Sequence, residues 1–345
     1  MPHDSTTIAA ISPLLISVVV PAYNEEEVLL EFHRRLTEVF NPLPYTLEVV
    51  YVNDGSSDKT VSVISDLISR DPRVALVDLS RNFGKEIAMT AGLDYASGDA
   101  VVVIDVDLQD PPELIPELIR HWQEGADVVY AKRTLREGET WLKKFTSAAF
   151  YRLIRRVSRV QIPADTGDFR LLSRRAMDGL GGLREQHRFM KGLFAWIGYR
   201  QVAVPYRRDP RFAGETKWNY WKLWNFALDG ITSFTTAPLK IATYLGLTVS
   251  LAAFIYAAII IYKTLAFGDE VRGYPSLMVV VLFLGGVQLA ALGVIGEYLG
   301  RMFDETKNRP LYLLNKLVPA QTRKDTSART APTSSRLEAS SEISS

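Results

Sequence analysis

The stretch VVVIDVDLQDPPELIP, Val101–Pro116, decides how the chain is read. An apolar run ends in Asp105, Asp107 and Asp110, with Gln109 among them and Pro111 and Pro112 stopping the strand. A buried strand of this kind presents its carboxylates at the carboxyl edge of a sheet, where open α/β folds place ligands. Hard oxygen donors there suit Mg²⁺ or Mn²⁺, and such an ion suits a diphosphate.

Working outward, the amino-terminal half repeats this strand-then-polar pattern. LISVVVPAY (15–23), LEVVYVND (47–54), VALVDLS (74–80) and AVVVIDVD (100–107) are strand-like, and ADVVYAKR (126–133) follows them. Between them run helical patterns: NEEEVLLEFHRRLTEVF with an N-cap-like Asn24, GSSDKTVSVISDLISR, a helix from about Lys85, and one from near Pro112. Continuous apolar strands alternating with helices predict a doubly wound, mostly parallel α/β sheet. No G-x-G-x-x-G follows the first strand and no P-loop occurs, so an ordinary dinucleotide fold and a P-loop nucleotidase are disfavoured. The polar clusters Tyr23-Asn24-Glu25 and Asn53-Asp54-Gly55-Ser56 are instead suited to a base and a ribose, and NDGSSD also reads as a turn and helix cap.

The 345 residues carry a net charge of +1, which leaves no electrostatic footprint for nucleic acid. With no cysteine there is neither a disulfide framework nor a thiolate ligand or nucleophile. Residues 1–14 lack a basic region before their apolar residues, so they read as a disordered lead-in rather than a signal peptide. Beyond Pro238, Ile241–Tyr262 and Ser276–Gly296 are uncharged apolar stretches of about the 20 residues that cross a bilayer. Lys240, Arg301, Lys307, Arg309 and Lys316 flank them, whereas the intervening loop is balanced, so both flanks are expected in the cytoplasm. The expected layout is a cytoplasmic catalytic domain (15–216), an interfacial segment (217–239), spans at 240–263 and 275–298 joined by an external loop (264–274), a cytoplasmic juxtamembrane segment (299–318) and a disordered tail (319–345). In the interfacial segment Trp218, Trp221 and Trp224 stand beside Lys217 and Lys222, which fits either headgroup depth or packing on the protein's own core. Gly285, Gly286, Gly293 and Gly296 permit close helix contacts and self-association, with a tetramer among the options.

The ordered set PAYNEEE, NDGSSDKT, RNFGKE, DVDLQDPPE, GDFRLLSR, FAGETKW and GEYLGR resembles the polyprenyl-phosphate glycosyltransferases of the inverting GT-A type in glycosyltransferase family 2, over about Leu15–Lys316. The likeness is nearest to bacterial bactoprenol glucosyltransferases of O-antigen modification, with dolichyl-phosphate mannose synthase a relative. The resemblance implies a GT-A nucleotide-diphospho-sugar transferase fold, a UDP-sugar donor, a polyprenyl phosphate acceptor, Mg²⁺ or Mn²⁺, and an inner-membrane protein with both termini cytoplasmic.

Residue by residue, it implies nucleotide binding by Pro21, Tyr23, Asn24, Glu25 and Asp54, and a metal at Asp105, Asp107 and Gln109, with Asp105 on the nucleotide side. Asp168 falls at the catalytic carboxylate, as a base or an electrostatic group. Arg170 then faces a phosphate, unless the two pair only with each other. Arg133, Arg211 and Lys217 match phosphate-handling positions, and Thr216 replaces the usual serine of its motif. Lys85 either touches the donor or is a solvated helix-start lysine. The expected product is a β-linked lipid phosphosugar made from UDP-glucose and undecaprenyl phosphate. Mannose, N-acetylglucosamine or an aminoarabinose derivative remains open as the sugar, and a non-catalytic sugar-nucleotide-binding membrane partner is the reading from another class. A processive polysaccharide synthase is disfavoured by the missing Q-x-x-R-W motif and by only two spans.

Overall fold

A computed structural model describes residues 13–134, 166–207, 237–267 and 273–321. The chain divides into two compact units, one formed by residues 1–116, 210–213 and 314–345, the other by 117–209 and 214–313.

In the first unit, β1 (Leu15–Ala22), β2 (Thr46–Asn53), β3 (Val74–Leu79) and β4 (Ala100–Val103) stand in the order β4-β1-β2-β3 and are parallel throughout. Nearly every residue in them is buried, as expected of strands covered on both faces. The helices α1 (Leu29–Phe40), α2 (Thr60–Arg70) and α3 (Lys85–Tyr95) provide that cover. α1 buries Leu29, Phe32, His33, Leu36 and Phe40 at helical spacing. α3 lies closest to the sheet, because a Cβ on Gly92 would meet a Val19 methyl at 2.3 Å and a Val52 methyl at 2.8 Å. At the amino ends of the strands, buried Glu48 accepts from the Ser17 hydroxyl, from the Ser97 hydroxyl at 2.7 Å and from the Ser97 amide at 2.9 Å, which fixes the turn into β4. A single 3-10 turn at Pro112–Leu114 leads into α4 (Ile115–Gln123).

Two local expectations are corrected. Asn24 does not cap α1, which starts at Leu29; Asn24 is left-handed (φ 53°) and its side chain serves another loop. α2 likewise starts at Thr60, because residues 55–59 are spent on the contacts of that same loop. A strand not foreseen in the juxtamembrane segment, β8 (Leu314–Val318), pairs antiparallel with β3 and closes that edge of the sheet.

In the second unit, β5 (Val128–Arg133) lies between β7 (Gln201–Tyr206), to which it is parallel, and β6 (Thr166–Ser173), to which it is antiparallel. α5 (Arg174–Gly181) is capped by Ser173, whose hydroxyl also donates to Asp127 at 2.9 Å, and α6 (Met190–Trp196) follows. The apolar hairpin is α7 (Ala237–Phe267) and α8 (Tyr274–Thr306). At 31 and 33 residues these helices are roughly 45–50 Å long, beyond a hydrocarbon core of about 30 Å. Both are candidate membrane spans, and their large apolar side chains, among them Leu247, Phe254, Phe283 and Leu289, are exposed. The last turn of α8 is gripped by the loop before α6: the Gln186 amide donates to Glu305 at 2.7 Å and His187 Nε2 stands 2.9 Å from Asp304.

Candidate active site

β1 and β2 end in register, Ala22 opposite Asn53, so the loops that follow leave the same edge side by side. They are joined by side chain to backbone bonds in both directions. The Asn24 amide donates to the Ser56 hydroxyl at 3.0 Å and the Glu25 amide to the Thr60 hydroxyl at 2.9 Å. In return the Ser57 amide donates to Asn24 Oδ1 and the Lys59 amide to Glu26 Oε2, each at 2.8 Å. Left-handed Asn24 makes this possible by turning the chain sharply at the strand end. Tyr23 beside it keeps 37% of its surface exposed, and Pro21 occupies the penultimate position of β1.

A third loop, RNFG, docks on the second. Asp54, 3% exposed, accepts the amides of Phe83 at 2.7 Å and Gly84 at 3.0 Å. Burial pushes the Asp54 carboxyl above its ordinary range, against the pull of those amides and of Arg81. The approach is close enough that Gly55, at φ +67°, has no room for a side chain: a Cβ would stand 2.4 Å from the backbone of Arg81 and Asn82. The same loop starts α3 at Lys85, whose ammonium lies 2.7 and 2.8 Å from the two oxygens of Asp105.

Past β4 the chain passes Asp105, Asp107 and Gln109 with Leu108 left-handed at φ 58°, an unfavourable conformation for a leucine that its burial at 2% exposure holds in place. Asp107 is 8% exposed, and its Oδ1 accepts the Gln109 amide at 3.2 Å. Asp110, just ahead of the 3-10 turn at Pro112–Leu114, is buried at 1% exposure. Among the described residues no three His, Cys, Asp or Glu side chains cluster as a complete metal cage. The oxygen-only set of Asp105, Asp107 and Gln109 nevertheless fits a hard divalent ion that takes its remaining ligands from a diphosphate and water. In this structure Asp105 is paired instead with the Lys85 ammonium.

In the second unit β6 carries Asp168 and Arg170, 8% and 4% exposed. Arg170 stacks its guanidinium 3.8 Å from the Phe194 ring centre and donates to the carbonyls of Gly167 at 2.8 Å and Asp168 at 3.3 Å. These contacts brace the backbone that carries the Asp168 carboxylate. Arg133, at the end of β5, donates to the Tyr206 hydroxyl at 3.3 Å, and Tyr206 packs edge-on against Phe169 at 6.4 Å. Arg211, Lys217 and the three tryptophans lie outside the described residues. Sequence reasoning missed the Asp54 grip on RNFG and the Lys85–Asp105 pair, for which only the short polar motifs were a signal.

The comparisons with known proteins agree with these motifs and extend past them. Residues 17–181 match the family "Glycosyl transferase family 2", and residues 237–302 match "GtrB C-terminal hairpin". The uncharacterized glycosyltransferase sll0501 of Synechocystis is 57% identical over 88% of this chain and 95% of its own. The chain belongs to glycosyl transferase family 2. It is a glycosyltransferase with the GT-A fold, followed by the apolar hairpin. The SfII prophage-derived bactoprenol glucosyl transferase of Shigella flexneri is 52% identical over 87% of this chain and 97% of its own, and the uncharacterized glycosyltransferase YkcC of Bacillus subtilis is 50% identical over 87% and 93%.

Proposed function

We propose that this glycosyltransferase moves glucose from UDP-glucose to undecaprenyl phosphate with inversion, yielding a β-linked lipid phosphosugar that serves as donor for cell-surface glycan modification of the O-antigen type. The observation that carries the reading is the 52% identity to a bactoprenol glucosyl transferase over nearly the whole of both chains, hairpin included. The loops after β1 and β2, bonded into one surface, supply side chains and amides for a uridine and its ribose. Asp105, Asp107 and Gln109 would hold a Mg²⁺ or Mn²⁺, which would supply Lewis-acid stabilisation of the negative charge developing on the departing UDP.

An oxygen of the lipid phosphate attacks the anomeric carbon as the bond to UDP breaks, so one displacement converts an α-linked donor into a β-linked product. The attacking phosphate is already an anion at neutral pH, so Asp168 acts by orienting the acceptor or stabilising the oxocarbenium-like transition state rather than by abstracting a proton. Arg170 keeps Asp168 in position, while Arg133, Arg211 and Lys217 meet phosphate oxygens. The hairpin holds the enzyme in the inner membrane beside its lipid, with the catalytic domain and both termini cytoplasmic and self-association through its glycines. A set of radiolabelled nucleotide sugars supplied with undecaprenyl phosphate tests the reading. Label from UDP-glucose should enter the lipid fraction and a chelator should stop it. Label from another sugar reassigns the donor, and label in a polymer or nowhere overturns the proposal.

A further inference from the structure

β8 does more than close a sheet edge. Its register with β3 runs Val318–Leu76, Leu317–Val77 and Lys316–Asp78, then slips, so that Leu314 faces Leu79 and Asn315 is the extra residue of a bulge. A bulge gives up ladder regularity and re-aims a side chain. Here the re-aimed side chain is the Asn315 amide, which donates to Asp78 Oδ2 at 2.6 Å.

Asp78, 5% exposed, passes the contact on. Its other oxygen accepts from Asn53 Nδ2 at 2.6 Å, and Asn53 is its register partner on β2. Asn53 Oδ1 then accepts the Ser56 amide at 3.1 Å, and the Ser56 hydroxyl accepts the Asn24 amide at 3.0 Å. A continuous chain of hydrogen bonds therefore runs from β8 across β3 and β2 into both loops assigned to the nucleotide. The carboxyl end of the segment is secured, since the Gln321 amide donates to the Pro72 carbonyl at 2.8 Å and Ala320 is buried. In sequence, only residues 307–313 separate β8 from the end of α8.

We propose that Asn315 is a positioning residue for the donor site, orienting the Asn53–Ser57 loop through Asp78 and thereby coupling nucleotide affinity to the chain segment that leaves the second apolar helix. This rests on the assignment of that loop to the nucleotide. Asp78 is a carboxylate held by two amide donors; when one donor is removed the carboxylate can turn, and Asn53 loses the fixed acceptor that sets its orientation toward Ser56.

The test uses the full chain in detergent, with amide exchange at Ser56 and Ser57 measured without ligand and the affinity for UDP with Mn²⁺ measured by calorimetry. Asn315→Leu keeps the γ-branched shape and removes the donor. It should speed loop exchange and weaken UDP by about three- to tenfold, as for an exposed hydrogen bond to a charged group, while Leu76 and Val77 exchange unchanged. Asn315→Asp alone sets two carboxylates against each other and should be worse. Combining it with Asp78→Asn reverses the pair: the amide introduced on β3 donates to the carboxylate introduced on β8, its carbonyl still accepts from Asn53, and both readouts should be restored. Unchanged loop exchange in Asn315→Leu, or no recovery in the reversed pair, overturns the relay. Faster exchange, restored by the reversed pair, with UDP affinity unchanged throughout overturns instead the assignment of the loop to the nucleotide.

Discussion

Gly55→Ala separates two costs that are usually confounded. Gly55 and Gly198 share a left-handed backbone, φ +67° and +70°, but a Cβ on Gly198 meets nothing nearer than 3.8 Å, whereas on Gly55 it stands 2.4 Å from the Arg81 and Asn82 backbone. Alanine at Gly198 therefore costs only the left-handed conformation, about 1–2 kcal/mol. At Gly55 the RNFG loop must also withdraw by roughly an ångström to restore ordinary contact, which carries the Gly84 amide from 3.0 Å beyond hydrogen-bonding distance of Asp54. Losing one bond to a charged acceptor adds about 1.5–3 kcal/mol. At about 2–4 °C per kcal/mol for a domain of this size, Gly55→Ala should lower Tm at least about twice as far as Gly198→Ala. UDP affinity, measured by calorimetry, should fall only in Gly55→Ala. Equal drops in Tm with equal UDP affinity would refute the close docking of NDG on RNFG.

Two further outcomes follow from named contacts. Lys85→Met removes the cation resting on Asp105, so Mn²⁺ binding to the nucleotide-free protein, followed by electron paramagnetic resonance, should tighten by about two- to fivefold, the scale of a partly exposed ion pair; unchanged binding removes Lys85 from the metal's surroundings. His33, buried between the Tyr51 hydroxyl at 3.1 Å and Asp71 at 3.3 Å, has its pKa lowered from 6.5 by burial, with Asp71 pulling the other way. A base with a depressed folded pKa contributes stability that is complete above about pH 6.5 and is lost as pH falls from there to the folded value. The ring should titrate below 6.5 by NMR, and His33→Phe should flatten that part of the stability profile. A midpoint above 6.5 would mean that Asp71 dominates.

β1 to β5 were legible because each is a local apolar run, and the helices because α1 and α2 keep their apolar stripes whatever their exact starts; β6 and β7 were not anticipated as strands. What escaped reading is non-local. Asn24 has the composition of a helix cap, yet Ser57, far along the chain, claims its side chain. LNKLV is a short mixed segment with four of its five residues exposed, and only the edge of β3 makes it a strand. Asp78 interrupts the apolar run VALVDL without local reason, its partners coming from β2 and β8. In the same way, Lys85 and Asp105 read as separate motifs until the fold brings them together.

The central claim is tested most directly by transfer of label from UDP-[¹⁴C]glucose to undecaprenyl phosphate by purified wild type, Asp107→Ala and Asp168→Asn under saturating Mn²⁺. Wild type should label the lipid, and each variant should fall by at least about 100-fold, the scale of losing a charge aimed at the transition state, while Asp168→Asn still binds UDP. Rates unchanged in both variants would contradict the site, and a wild type that labels no lipid from any sugar nucleotide would contradict the reaction.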